Sequence, residues 1–428
     1  MGAYVDPTAL TGLFYEVYGD DVIDLVPESA KILKKVPFAP SEKQEGNKYH
    51  QPVILSYEQG VTYAAADAGA FALNASVALQ MADAQIQGSQ LLLRSAISYD
   101  AAARAATNKK AFRRTTELVV ENMLESITKR LELSYLYGQT ELTLCATSAN
   151  DSTTQTTITC TLASWAAGMW AGMESASLDC YQTNGTTLVN SNAALTIDII
   201  DLTARTIQVT GNSTDIAAVD SYIAGAGAGI TKLRFYGAGG ASPAEMAGID
   251  KIVTNTGTLF NISSSTYALW AANSYAVGSA PLSFGKVLAG LVAANNKGLM
   301  EEVCLYCNPK TWVDMADDLA ALRVQDSSYK TKNSEIGSES LTYYYMGGKI
   351  TVEPHLFIKE GEAFALPMKR VKRLGAQDVS FKTPGRGEDI FTQLQDRAGY
   401  ELRVYTDQCA FIERPAWCVK YTGIVNTA

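Results

Sequence analysis

Histidine is almost missing from this chain: of 428 residues, only His50 and His355 are imidazoles, and they lie far apart. That scarcity removes most histidine-based catalysis and most zinc chemistry at once. Cysteine is sparse and unordered. Seven residues, an odd count without regular spacing, fit buried thiols in a reducing compartment better than a disulfide framework. Basic charge is also short: 35 Lys and Arg against 44 Asp and Glu leave a net charge of −9, unlike a dedicated nucleic-acid reader, though one basic surface is compatible with it. The opening MGAYVDPTALTG has neither a basic nor an apolar signal region, and Asp6 spoils a myristoylation match, so no secretory signal is expected. Two uncharged runs, Ser152–Met173 and Ile252–Gly285, are filled with Thr, Ser, Asn and Gly and would not partition into lipid, so the expectation is a soluble protein with no membrane partner.

Catalytic and cofactor motifs are missing as well. No G-x-S-x-G elbow occurs. The glycines at Gly225, Gly227 and Gly229 have Ile230 where a dinucleotide fingerprint needs its third glycine, and like Gly237, Gly239 and Gly240 they read as flexible connections. Cys304 and Cys307 form a single pair on a strand-like run. Their odd offset points them to opposite faces, so they read as two buried thiols. The acidic pairs Asp20-Asp21, Glu301-Glu302 and Asp317-Asp318 read as solvated faces. No enzyme and no cofactor is expected.

What the chain does have is Asn108–Tyr137, a stretch without Gly or Pro. Phe112, Val119, Met123, Ile127, Leu131 and Tyr135 recur at helical steps, widened by Val120 and Leu124, and Glu125 precedes Lys129 by four residues on the charged face. At 1.5 Å per residue this predicts a helix of roughly 45 Å, long enough to link parts of an extended molecule, with Gly138 as its C-cap. Arg104, Lys109, Lys110, Arg113 and Arg114 put five bases and no acid near its start, where the macrodipole disfavours cations. They meet phosphate, an acidic neighbouring subunit or solvent. Lys369, Arg370, Lys372 and Arg373 form a second cluster, read as solvated.

Around that helix the texture changes in blocks. Residues 1–44 hold a short helical stretch, Leu10–Val17, and several prolines, and read as an arm. Lys48–Tyr57 reads as a strand and Ile86–Ile97 as its partner or a helical return, with an Ala-, Gly- and Asn-rich tip between them and no Lys between Lys48 and Lys109. An isolated ribbon is marginal in water, so it is expected to rest on another subunit. Residues 138–247 are rich in Thr and Ser, with short β-prone runs and three bases against nine acids, giving 3 − 9 = −6. They read as an inserted β-rich domain with an acidic exterior. From Gly248 helical patterns at Phe284–Asn295 and Pro309–Leu322 flank the strand-like Val303–Cys307, and the last residues read as two long strands broken near Pro415.

This order of parts, with Met346–Gly361 (MGGKITVEPHLFIKEG) and Tyr400–Ile424 as its most specific stretches, resembles the major capsid protein of tailed bacteriophages. The resemblance implies an α+β Hong Kong 97-type capsid fold: N-terminal arm 1–45, extended loop 46–100, spine helix 101–137, inserted β-rich domain 138–247, a peripheral-to-axial connection 248–282, axial domain 283–376, peripheral strands 377–414 and a return to the axial domain at 415–428. It implies a coat protein that self-assembles into the hexamers and pentamers of an icosahedral virion head around double-stranded DNA, with a separate scaffolding protein, a portal and an optional decoration protein as partners. Some relatives crosslink an extended-loop Lys to a neighbour, which a loop with no Lys after Lys48 argues against. Alternatives are an encapsulin-like compartment shell or, in a different class, a β-rich surface or adhesin-like protein.

Overall fold

The apolar stripe forms a helix over Lys109–Tyr137, and the rest of the molecule is disposed around it. The computed structural model describes residues 30–40, 44–45, 48–98, 109–226, 230–323, 341–381, 391–393 and 398–427. The expected helical stretch at 10–17 lies outside them. Met123 and Ile127 pack on Leu402 and Val404 of a long strand, Gly399–Ile412. From Leu131 onward the helix has almost no exposed face: Leu131, Glu132, Leu133, Tyr135, Leu136 and Tyr137 are all buried. Lys129, expected on the charged outer face, is only 6% exposed, donates to the Ala171 carbonyl and lies 5.7 Å from the Phe357 ring centre. The helical period holds; the outer face is lost because another part of the chain closes over the last turns.

The helix stops with Gly138 N–H donating to Ser134 O at 2.8 Å. The left-handed residue after it is Gln139 (φ 63°), whereas positive φ is not what Gly138 supplies. Its role is space, since a Cβ there would stand 2.2 Å from Met246 O and 2.4 Å from Ser134 O.

The segment that closes over the helix is a six-stranded closed barrel, with strands in the order Thr206–Thr210, Gln155–Cys160, Thr143–Ser152, Thr231–Phe235, Ser177–Tyr181, Leu195–Asp201. Its sequence alternates as a barrel wall must: Ile158 and Cys160, Ile207 and Val209 point inward and are buried, while Thr159 and Gln208 between them are half-buried on the other face. The helix Ser213–Ala226 packs against the barrel through Ile216, Val219 and Ile223, spaced three and four residues apart. Closure removes free edges. Outside, Asp151 accepts from Thr157 (2.6 Å) and Gln208 (3.1 Å), which lowers its pKa, and cross-strand Thr–Asp–Gln contacts of this kind explain the block's composition.

Two open sheets complete the body. The first has six strands in the order Asn273–Ala280, Val419–Ile424, Glu362–Leu366, Val303–Cys307, Gly348–Pro354, Leu341–Tyr345. Cys304 belongs to the core shared with the long helix and Cys307 to the core on the opposite side of this sheet, as their odd offset requires. All seven thiols are free and buried, and burial pushes those of Cys160, Cys304 and Cys409 up to about 12.

The second sheet sets Phe38–Pro40, Val371–Ser380, Gly399–Ile412 and Phe391–Gln393 side by side. It corrects one expectation. Lys48–Ser56 pairs with Gln80–Ile86, not with the next stretch; Ser89–Ser98 pairs instead with Gly399–Ile412 over ten registered residues. A β-prone run in sequence does not name its partner, and here the partner lies at the far end of the chain.

Candidate assembly surface

Beyond the paired strands Lys48–Ser56 and Gln80–Ile86, residues 57–79 leave the body as a loop. Few hydrogen bonds cross it: Gln59 N to Val77 O at 3.2 Å, Asn74 N to Thr62 Oγ1 at 2.8 Å, and Asn74 Nδ2 to Val61 O at 2.9 Å. A turn closed by Ala68 N to Ala65 O (3.1 Å), with Gly69 at φ 61°, makes the tip. The loop nonetheless carries Tyr57, Val61, Tyr63, Phe71, Leu73, Val77 and Leu79 in the open, with Tyr63 92% and Leu73 80% exposed. Seven such side chains are worth roughly 10–20 kcal/mol if buried, comparable with the ~4–15 kcal/mol cost of bringing two bodies together. An apolar excursion of this kind marks a contact surface.

The chain before the loop is fixed to the body by buried polar groups, of which the sequence drew attention only to His355. Glu132, wholly buried in the long helix, accepts from Ile32 N (2.8 Å) and Leu33 N (3.0 Å) at the start of the helix Lys31–Lys35, and from His355 Nε2 (2.9 Å). Phe357 N donates to His355 Nδ1 at 3.1 Å, so that nitrogen is bare and the proton sits on Nε2, facing the carboxylate. One carboxylate therefore joins three segments. Nearby, Lys359 donates to Glu141 O at 2.9 Å and lies 4.2 Å from the Tyr137 ring centre, while its N–H donates to Tyr137 Oη at 3.1 Å. Lys420 is buried between Asp250 and Glu362, the latter at 2.8 Å. Burial opposes its charge, but the two carboxylates outweigh it and hold the ammonium above its usual range.

Glu141, at the seam between helix and barrel, carries a pH signature. Burial raises its pKa, but Lys359 and Lys232, the latter 3.4 Å away, outweigh that and bring it from 4.5 to about 2. A carboxylate depressed in the folded state adds stability above its unfolded pKa and loses it as the pH falls from 4.5 towards 2, here on the order of 3 kcal/mol. Glu141→Gln is expected to flatten this part of the stability curve. Urea midpoints measured from pH 5 to pH 2 check it, and an unchanged acid slope in the variant would refute the assignment.

Of the basic residues singled out in the sequence, Arg104 lies outside the described residues, and Lys109, Lys110, Arg113 and Arg114 fall on the first turns of the long helix with side chains outside them. Most of the second cluster is drawn into ion pairs: Arg370 is held by Glu301 and Glu413, Lys372 by Glu413, and Arg373 by Asp378 at 2.8 Å. Lys369 and Glu302, 3.7 Å apart and 71% and 62% exposed, stay on a solvated face as expected, whereas Glu301, expected to be solvated, is an ion-pair partner. Asp318 likewise accepts from Phe284 N at the start of Phe284–Asn296. Among the described residues no group of three or more His, Cys, Asp or Glu gathers as metal ligands, and no helix is long and apolar enough to cross a membrane.

No family model and no curated protein matches this sequence. Solved structures do match it. Against the cyanophage A-1(L) capsid asymmetric unit the TM-score is 0.57, with 97% of this chain and 98% of that chain covered at 12% identity. The chain has the fold of a phage capsid subunit. The capsid of a native GTA particle gives a TM-score of 0.50 at 8% identity, covering 99% of each chain. Because coverage runs end to end, the barrel and the exposed loop both fall within the matched length.

Proposed function

We propose that this chain is the major capsid protein of a tailed double-stranded DNA bacteriophage, a structural protein without enzymatic activity that assembles into the hexamers and pentamers of an icosahedral head. The observation that carries the reading is the loop at 57–79, which holds seven large apolar side chains in solvent on a chain of which 97% follows a capsid subunit. A folded subunit that leaves such a surface open is built to close it against copies of itself. The weak contacts add around a ring and over a shell.

Within this reading the parts take the Hong Kong 97-type roles: arm 1–45, extended loop 46–100, spine helix 101–137, inserted domain 138–247, connection 248–282, axial domain 283–376, peripheral strands 377–414 and axial return 415–428. The bases Arg104, Lys109, Lys110, Arg113 and Arg114 meet packaged DNA through phosphate charge without reading sequence, and a separate scaffolding protein and portal complete the head in the host cytoplasm.

Expression alone and together with the neighbouring genes, followed by sizing chromatography and electron microscopy, tests the reading. Closed shells, tubes or capsomer rings are expected; a persistent monodisperse monomer under both conditions would overturn it. Reversing the charge of Lys109, Lys110, Arg113 and Arg114 together is expected to impair DNA retention while empty shells still form. If shell formation itself fails, the cluster is a subunit contact and not a DNA contact.

A further inference from the structure

Three of the seven thiols meet inside the barrel. Cys145 on Thr143–Ser152, Cys160 on Gln155–Cys160 and Cys180 on Ser177–Tyr181 are core residues, and none is more than 1% exposed. The Cys145 thiol shares a hydrogen bond with Cys180, and this contact together with burial holds its pKa well above the usual thiol range. Burial raises that of Cys160 to about 12. Both therefore rest as thiols, which keeps them unreactive while the chain folds.

Cys145 and Cys160 lie directly opposite each other on antiparallel neighbours. The bonds around them show which kind of pair they are. Thr161 N donates to Leu144 O at 2.9 Å, while Cys160 N donates away from the pair, to Arg205 O at 2.9 Å. This is a non-hydrogen-bonded pair, the kind with the closer backbones, about 4.5 Å between Cα atoms. That lies within the roughly 4.4–6.8 Å that a disulfide spans. The ladder shifts register between Cys145 and Thr147, which leaves the backbone beside Cys145 freer to take up the bridge geometry. The other combination fails on distance. Thr231–Phe235 runs between the strands of Cys145 and Cys180, and two strand spacings make roughly 9 Å, too far to bridge without moving backbone.

We infer that Cys145 and Cys160 are a disulfide-forming pair, which closes between neighbouring strands of the barrel wall once the finished shell leaves the reducing interior of the host and meets small-molecule disulfides. The inference rests on the virion role proposed above. In the first step the thiolate of one cysteine attacks an oxidant RS–SR, breaking its S–S bond, and the departing RS⁻ takes up the proton as RSH. The second thiolate then attacks the protein sulfur of the mixed disulfide and releases a second RSH. Two S–H bonds become one S–S bond, and the oxidant is reduced to two thiols. The reaction is slow in the folded subunit, because the oxidant enters only when the barrel opens locally. Once closed, the bond ties two strands together and opposes that opening.

Refolding the full chain in a glutathione redox buffer tests this without depending on access to the folded barrel. The expected product is about 2 Da lighter, having lost two hydrogens. Cleavage before Asp151 and Asp179 separates the three barrel cysteines into different peptides, and the Cys145–Cys160 link is expected at least tenfold above any other. Cys180→Ala should keep the bridge, whereas Cys145→Ala and Cys160→Ala should each abolish it. Unfolding of the bridged protein in urea, followed by Trp165 and Trp170 fluorescence, is expected to be about tenfold slower than that of the reduced protein, and dithiothreitol should restore the faster rate. The inference is overturned if all thiols stay free in fully oxidised glutathione, if the link runs through Cys180 or outside the barrel, or if the bridged protein unfolds no more slowly. Refolding needs no shell, so shells built from unbridged chains would sink this pair alone, and a bridged chain that never assembles would sink the proposed function alone.

Discussion

Glu132→Ala is expected to lower subunit stability by about 3–5 kcal/mol, the usual cost of removing one member from a buried, hydrogen-bonded charge site. The change strands three donors at once: the amides of Ile32 and Leu33, and the Nε2–H of His355. Gln is not a remedy. Its amide nitrogen would turn donors towards one of the three donors it has to satisfy. The loss should also be local, since the helix Lys31–Lys35 takes two of its backbone bonds from Glu132, beside side-chain ties such as Lys31 to Pro354 O and Lys35 to Glu353. Brief tryptic digestion is therefore expected to cut at Lys31, Lys34 and Lys35 in both Glu132→Ala and Glu132→Gln while wild type resists. Wild-type melting and wild-type protection in the variants would remove Glu132 from the role assigned to it.

Lys420→Met is expected to be comparably damaging, again about 3–5 kcal/mol, for the opposite reason: it leaves Asp250 and Glu362 buried together without a cation. Met fills the volume, so packing is not the variable. Replacing all three as Lys420→Met with Asp250→Asn and Glu362→Gln is expected to recover most of the loss, because a buried ion cluster removed as a unit carries little net cost. Chemical denaturation of the single and triple variants checks this. A triple variant no better than the single would mean that the site stabilises through Met-intolerant packing around Phe364, whose ring centre is 5.6 Å from the ammonium.

The elements read from the sequence were those whose signal is local. The long helix followed from its three- and four-residue spacing, the opposite placement of Cys304 and Cys307 from strand parity, and the break at Pro415 from proline's missing N–H. What was not legible depends on groups far apart in sequence. Lys129 and Glu132 look like ordinary solvent-face charges of an amphipathic helix, and nothing within a turn of either reveals that the barrel and His355 enclose them. At Ile86–Ile97 strand was one of two readings, beside a helical return, and the pairing of Ser89–Ser98 was not legible at all, because register is decided by the face it buries against Gly399–Ile412. Of the candidate surface, the lack of Lys in the loop could be seen; that its apolar side chains stay open could not, since exposure depends on what distant parts of the chain leave uncovered.

The pairing of Ser89–Ser98 with Gly399–Ile412 has a consequence for synthesis. The strand that follows the hairpin of the exposed loop waits for a partner made roughly three hundred residues later. At ~5–20 residues per second, that is about 15–60 s on the ribosome. Through that interval the loop's own hairpin can close, because Lys48–Ser56 and Gln80–Ile86 are made together, but Ser89–Ser98 keeps an unpaired edge. An open strand edge on a growing chain is a pairing site for other chains, so this register concentrates the hazard of misassembly in the time before Gly399–Ile412 is made.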